Sequence, residues 1–438
     1  MDSMNRQFGA VVRTFIMITT LNLRMVSAAK RKQIVSASKE HYDETVSFLQ
    51  EMIRTPSVNP PGEYESIHDL VKERHESYGW DCETVRTPDS VLENLGLDPA
   101  YPRYNLLSYV THGDGPTIAL NAHFDTVPVD ESEEWDHEPF GAEIDDDGRV
   151  YGRGANDSKG RIAAYTLAAR ALESAEVVPE NATLVLAITC DEETGGKAGP
   201  GYLVESGALE PDYAIVEGNC DSLWRGVSGV RQFEVTVRGK ASHAGVNPEA
   251  GANAILGTGH LLRAIETYAE ELSGEESEVP GIGSPTCVPA TIEGGVKTNV
   301  VPAECSFTVD HRVPPDYDGD EVEARFEAVV DDVSMPAGTS AETAVALRAD
   351  PYISGAEEMH VRAVHENAEA IFGRDLDLVG IRGFSDGRFF AQAGAKTLNF
   401  GPGDGDCNPH GADENISLDQ VRDAGATVAA SIVDIARD

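Results

Sequence analysis

His123 and Asp125 stand two residues apart after the apolar run Thr117-Ile118-Ala119-Leu120-Asn121-Ala122, and Asp157 follows in Gly152-Arg153-Gly154-Ala155-Asn156-Asp157-Ser158-Lys159-Gly160. A run of that composition reads as a short buried strand, so both side chains leave its carboxyl end on the same side. Such spacing suits a metal-binding imidazole whose second nitrogen is held by a neighbouring carboxylate. Pro128 and the glycines before Asp157 suit rigid loops, not helix interiors. Alone, His-x-Asp is better explained by an ordinary hydrogen-bonded pair, so a metal reading needs further ligands.

Further candidates recur in the same setting. Cys190-Asp191-Glu192-Glu193-Thr194-Gly195-Gly196 follows a second apolar run over 182–188, and its adjacent glutamates can face different ways. One can bind metal while the other handles a proton. Tyr213-Ala214-Ile215-Val216-Glu217-Gly218 repeats the pattern with one carboxylate, and Gly401-Pro402-Gly403 leads to His410. Each taken singly is a solvated loop acid or a surface histidine. Carboxylates and imidazoles at several strand ends of an α/β sheet, however, lie where such folds build sites.

With these residues in order, the chain resembles the M20 metallopeptidases, the family of acetylornithine deacetylase, succinyl-diaminopimelate desuccinylase, aminoacylase and carboxypeptidase G2. The resemblance rests on His123-Phe124-Asp125-Thr126-Val127-Pro128, on residues 135–140, on the segments around Asp157 and Glu192, on Gly239-Lys240-Ala241-Ser242-His243-Ala244-Gly245, on Asn299-Val300-Val301-Pro302, and on His410 with Glu414. It spans most of residues 40–435. By resemblance, Asp157 bridges two zinc ions, for which cobalt or manganese can substitute. His123 and Glu217 then complete one site, Glu193 and His410 the other, and Glu192 is the general base, with Asp125 behind His123. Two cations sharing a carboxylate acidify water and polarise a scissile carbonyl, while a nearby carboxylate carries the proton to the leaving amine. The family also implies a cis peptide after Asp157 and a role for His243 at a partner subunit's oxyanion. Asn299 and Arg312 are then contacts for a substrate carboxylate or that oxyanion, an arginine matching a carboxylate bidentately.

Two places depart from the pattern. Val216-Glu217-Gly218 stands where relatives of the deacetylase and desuccinylase type often read Gly-Glu-Pro. Gly383-Phe384-Ser385-Asp386 resembles a Gly-Thr-Ser-Asp segment of the desuccinylases, with Ser385 as a substrate-binding candidate, but Phe384 replaces the threonine. A lost hydroxyl and an added ring reshape a pocket for a polar acyl group. Glu414 fits the family's His-x-x-x-Glu signature and equally a favourable start for the closing helix.

A chain of 438 residues is expected to form two domains. Its 75 Asp plus Glu against 34 Lys plus Arg give a net charge of −41, which repels nucleic acid and anionic membranes. That excess also repels itself until about molar salt shortens the Debye length to roughly 3 Å, so a salt-rich cytoplasm is expected. The six cysteines form no Cys-x-x-Cys pair, and neither structural zinc nor a disulfide framework is supported.

The expected class is α/β: a zinc-peptidase-like catalytic domain with a mixed sheet flanked by helices, over residues 33–224 and 350–438. An inserted α+β lid or dimerisation domain occupies 225–349. Residues 1–32, basic around a short apolar run, are read as a flexible extension or a start codon assigned too early. That run is too interrupted to span a membrane, and only Val26-Ser27-Ala28 leaves a signal peptide conceivable. Helical pattern begins at Ser38, and Asn247-Pro248-Glu249 is read as capping a helix that reaches about Leu272. The expected protein is a cytoplasmic, homodimeric, dinuclear amidohydrolase removing an acyl group from an N-acyl amino acid. A dipeptidase or carboxypeptidase with the same metals is the alternative, and a metal-loaded binding protein without turnover a third reading. A nicotinamide enzyme is disfavoured, because Gly152-Arg153-Gly154 lacks the third glycine of the dinucleotide fingerprint.

Overall fold

Four parallel strands lie side by side at the centre of the larger sheet: Thr183–Thr189, Thr117–His123, Tyr213–Val216 and Lys396–Asn399. Their residues are almost all buried, as expected of parallel strands covered on both faces. All four point the same way, so the loops at their carboxyl ends collect at one edge. The computed structural model describes residues 25–130 and 134–437.

Antiparallel strands extend this sheet on both sides. Tyr104–Thr111 and Asp81–Arg86 lie beyond Thr183–Thr189, while Ser222–Val227 and Tyr352–Ile353 lie beyond Lys396–Asn399, and Asp377–Ile381 pairs parallel with Ser222–Val227. Helices Gly160–Ser174 and Leu418–Ile435 cover one face, both buried along nearly their whole length. Their contact surface is small-residue rich. A Cβ on Gly425 would stand 2.8 Å from the Ala164 carbonyl, so the backbones approach too closely for any side chain there.

Between Ser222–Val227 and Tyr352–Ile353 the chain builds a second, antiparallel sheet in the order Thr286–Gly294, Glu304–Val313, Gly229–Arg238, Ser340–Ala349. Helices Ala254–Leu272 and Gly319–Asp331 pack on one face, where Phe233 stacks on Phe326 with ring centroids 4.0 Å apart and Leu261, Ile265 and Phe307 are fully buried. The edge strand Thr286–Gly294 is exposed from Val288 onward.

Several boundaries differ from the sequence reading. Residues 25–32 are no extension: Ala28–Glu40 is a helix capped by the Ser27 hydroxyl, and Val26 and Ile34 are buried in the main core. Its basic residues hid an apolar face only one residue wide per turn. Residues 1–24 of the expected extension lie outside the described residues. Ser222–Val227 belongs to the main sheet, which moves the start of the insert from 225 to about Gly229. Asn247 caps only a single turn, Pro248–Ala250; extended Gly251 interrupts it, and Asn253 caps the long helix through a 3.2 Å bond from the Leu256 amide. Strand Ser340–Ala349 lies outside the sequence expectation: it half-buries Ala341, Thr343, Val345 and Leu347, a weak alternation diluted by alanines on the exposed face.

Because the main sheet and its covering helices are apolar, the acid excess lies outside. Asp320, Glu321, Glu327 and Asp331 on one short helix are all exposed. The expected consequence is that the thermal unfolding midpoint rises by several degrees between about 0.1 M and about 3 M KCl; equal midpoints across that series would count against the halophilic reading.

Candidate active site

Asp157 sits between two imidazoles, its Oδ1 3.1 Å from His123 Nε2 and its Oδ2 3.2 Å from His410 Nε2. His123 comes from the end of strand Thr117–His123, while His410 comes from the loop that follows Lys396–Asn399 and takes a left-handed φ of 64°. Glu193 Oε2 approaches His410 Nε2 to 3.3 Å, and Glu192 Oε2 stands 4.0 Å from His123 Nε2. Donor atoms of His123, Glu192 and Glu193 lie within 4.8 Å of one another, as do those of Asp157, Glu193 and His410. Glu217, at the end of Tyr213–Val216, lines the same cavity of about 540 Å³.

The two glutamates at 192 and 193 are aimed by a tight turn. Asp191 adopts φ 71° and Gly195 φ 107°, bracketing one 3-10 turn. Asp125, fully buried, holds that turn by accepting from the amides of Glu192 at 3.3 Å and Glu193 at 3.2 Å. Asn59 donates to Asp125 at 3.0 Å, to Asp191 at 3.3 Å and to Thr194 at 3.1 Å, so one amide ties three loops together. His123 Nδ1 is closer to the Asp125 carbonyl, at 3.0 Å, than to its carboxylate, at 3.4 Å. Either contact fixes the ring with Nε2 toward the cavity.

Glu414 holds the loop carrying Asp157. Its carboxylate accepts from the amides of Gly154, Asn156 and Asp157 at 2.9–3.0 Å and from Arg153 at 2.8 Å, all buried or nearly so. Arg153 also reaches the His410 carbonyl at 3.1 Å and lies over the Trp135 ring. One buried ion pair thus links the Asp157 loop to the His410 loop. The closing helix instead begins at Leu418 with Ser417 as its cap, so Glu414 is not its starting residue. The peptide between Asp157 and Ser158 is cis.

Electrostatics mark the cavity as a well for positive charge. Burial raises Glu192 well above the ordinary carboxylate range, and Asp386, Asp157 and Glu193 add repulsion that the pull of His123 does not offset. Burial likewise pushes Glu217 up to about 7. Hydrogen bonds to Asp157 and Glu193 raise His410 to about 10. Glu193 Oε1 and both carboxylate oxygens of Glu217 are buried without a hydrogen-bond partner. Such groups are costly unless a ligand completes them. Imidazole nitrogens mixed with carboxylate oxygens are the donor set of zinc and similar divalent ions, so the residues present fit a metal pair.

Of the sequence-derived candidates, His123, Asp157, Glu192, Glu193, Glu217 and His410 gather here, with Asp125 directly behind. Ser385 also lines the cavity, but its Oγ accepts from Asn399 at 2.7 Å and from the Gly387 amide at 3.1 Å, which turns it toward the sheet. His243, Asn299 and Arg312 belong to the insert and do not line the cavity: His243 and Asn299 are exposed, and Arg312 pairs with Asp310 at 2.8 Å. The sequence reading assigned no role to Asn59 or Arg153, and passed over Asp386, whose buried carboxylate has no hydrogen-bond partner. Asn59 precedes two prolines and Arg153 sits between glycines, contexts that read first as turns.

Comparisons with known proteins agree with this geometry. The model of peptidase family M20/M25/M40 matches residues 119–434. A succinyl-diaminopimelate desuccinylase of Hydrogenovibrio crunogenus is 27% identical over 377 residues, covering 82% of this chain and 90% of its own. Aminopeptidase PepT of Bacillus cereus has the same fold, with a TM-score of 0.69 at 20% identity over 90% of this chain and 99% of its own. YxeP of Bacillus subtilis, described as a dinuclear metal-binding peptidase, gives a TM-score of 0.66 at 15% identity over 91% and 99%. A family match across more than two thirds of the sequence, together with the likeness in fold, establishes that this chain belongs to the M20/M25/M40 peptidase family of metal-dependent amide hydrolases.

Proposed function

We propose that the protein is a dinuclear metal hydrolase that removes an acyl group from an N-acyl amino acid. The observation that carries this reading is the placement of Asp157 between His123 and His410, with the Glu192 carboxylate facing the same cavity. Asp157 would bridge the pair, with His123 and Glu217 on one side and Glu193 and His410 on the other. Zinc suits these donors, cobalt or manganese being substitutes. Bound there, such ions supply Lewis acidity and an acidified water.

The chain's own groups supply positioning and proton transfer. Glu192 takes a proton from the attacking water and delivers it to the leaving nitrogen; the acyl carbon gains the hydroxyl as the C–N bond breaks. Burial among carboxylates favours the protonated Glu192 needed for the second half of that transfer. Asp125 and Glu414 hold the loops rather than react. A dipeptidase is the second reading, favoured by the excess of carboxylates around the cavity, since a dipeptide brings a free ammonium group. A binding protein without turnover would have no need of Glu192.

The insert supports a homodimer. Val246 and Val296 are 78% and 84% exposed, beside the exposed edge strand Thr286–Gly294. His243 is exposed outside its own protomer's cavity, which suits delivery to a partner's site, where Asn299 and Arg312 would meet the substrate carboxylate. Six unpaired cysteines support a reducing compartment such as the cytoplasm. Among the described residues, no helix is long and apolar enough to cross a membrane.

Three outcomes are expected. Glu192→Ala should lower kcat by roughly 100- to 10,000-fold while metal analysis still finds the ions bound; full activity would remove its assignment. Glu414→Gln sets an amide donor against N–H donors, so metal affinity should fall by about 10- to 100-fold with the circular dichroism spectrum unchanged. An unaltered affinity would show that the clamp does not tune the site. Finally, inactive Glu192→Ala and His243→Ala proteins, unfolded and refolded together, should recover activity through mixed dimers carrying one intact composite site; no recovery would place His243 outside the partner's chemistry.

A further inference from the structure

Part of the cavity wall is apolar. Trp224, Ile381 and Phe384 line it, each half-buried, with Trp224 anchored by its indole N–H to the Ser222 hydroxyl at 3.1 Å. Among the described residues lining the cavity, Arg161 is the one arginine or lysine, and it is already engaged. Its Nε donates to the Gly218 carbonyl at 2.9 Å, another nitrogen donates to the Asn156 carbonyl, and Asp157 lies 3.7 Å away.

A second guanidinium lies behind the wall, but it is sealed. Arg388 is 5% exposed and sandwiched, 3.6 Å from the Phe384 ring centroid and 4.1 Å from that of Phe389. It donates to the carbonyls of Ser385 at 2.8 Å and Gly195 at 2.5 Å, and Asp386 stands 3.8 Å from it. Phe384 is therefore both part of the wall and the cover that keeps this cation from the cavity.

We propose that Phe384, with Trp224 and Ile381, selects substrates whose acyl group is apolar, aromatic above all, and rejects acyl groups ending in a carboxylate. The inference rests on the deacylase reading and extends it: with Asn299 and Arg312 of the insert meeting the substrate's amino acid carboxylate, the acyl half is assigned to this wall. A dicarboxylic acyl group would bury its free carboxylate against Trp224, Ile381 and Phe384, where the one arginine lining the cavity is already engaged. A benzoyl ring would stack on Trp224 and Phe384 instead. An apolar pocket rejects an added hydroxyl by only about 100-fold, but a carboxylate carries a full charge, whose burial without a partner costs more.

The test compares kcat/KM for N-benzoyl, N-hexanoyl, N-acetyl and N-succinyl derivatives of one amino acid, plus dipeptides, on the metal-loaded wild type, Phe384→Thr and Phe384→Leu. The benzoyl and hexanoyl compounds should exceed the succinyl compound by at least tenfold. Phe384→Leu should keep an apolar preference while losing the aromatic one, and Phe384→Thr, by uncovering Arg388, should raise succinyl turnover and narrow the ratio at least tenfold. Hexanoate should also perturb Trp224 fluorescence at lower concentration than succinate, a readout that needs no turnover. A wild type that prefers the succinyl substrate, or a ratio indifferent to both variants, overturns the inference and leaves the deacylase reading standing. Dipeptide turnover with no release from any N-acyl compound overturns the deacylase reading and this inference with it.

Discussion

The constraint on which the structure turns is the sharing of one carboxylate, Asp157, by two imidazoles that reach it from a strand end and from a distant loop. For that contact to persist, three loops must be fixed relative to one another against strong repulsion, because Glu192, Glu193 and Glu217 crowd the same cavity. The protein meets this with buried polar anchors behind the site. Asp125 grips the turn bearing Glu192 and Glu193, Asn59 grips Asp125, and the Arg153–Glu414 pair ties the Asp157 loop to the His410 loop. The Asp125 and Glu414 carboxylates have both oxygens hydrogen-bonded, whereas both oxygens of Glu217 and one of Glu193 have no partner. Unmet acceptors facing inward make cation binding stabilise the folded state as well as equip it.

The sheet explains why so many donors can be assembled. Four neighbouring parallel strands end at one edge, and each hands its following loop a residue for the cavity: Glu192 and Glu193, His123, Glu217 and His410. The helices beneath supply rigidity, since close contact at Gly425 leaves little freedom to slide. The insert is attached differently. Its entry and exit strands are antiparallel neighbours in the main sheet, with Tyr352 opposite Val227. Two adjacent linkers at one point suit a body that pivots as a unit. That geometry suits the proposed delivery of the exposed His243 to another protomer's cavity.

Donor positions were legible because each follows an apolar run and a polar motif, and both signals are local. The supports were not, because they are contacts over long separations: Glu414 meets residues about 260 positions earlier, and Asn59 meets Asp191 132 positions later. No local pattern distinguishes an acid that clamps amides from one that begins a helix. Similarly, Phe384 was visible as a departure from a threonine, but its place over Arg388 depends on how the loop folds back. The N-terminal helix was missed for another reason. Ala28–Glu40 is polar on most of its surface and buries only Ile34, Ala37 and Ser38, so burial there comes from its neighbours rather than from its own periodicity.

Acidic groups serve two opposite purposes in this chain, and the difference bears on substrate choice. On the surface they are solvated and give the protein a long-range negative field, which draws metal cations and opposes an anionic N-acyl amino acid. In molar salt that field is screened within about 3 Å, and ion pairing between exposed groups weakens with it. Burial of an apolar group against Trp224 and Phe384 does not depend on charge and is not weakened in this way. The proposed recognition of an acyl group by apolar contact, with the Arg388 guanidinium closed off beneath the Phe384 ring, is therefore a form of selectivity that such an acidic protein can keep in molar salt.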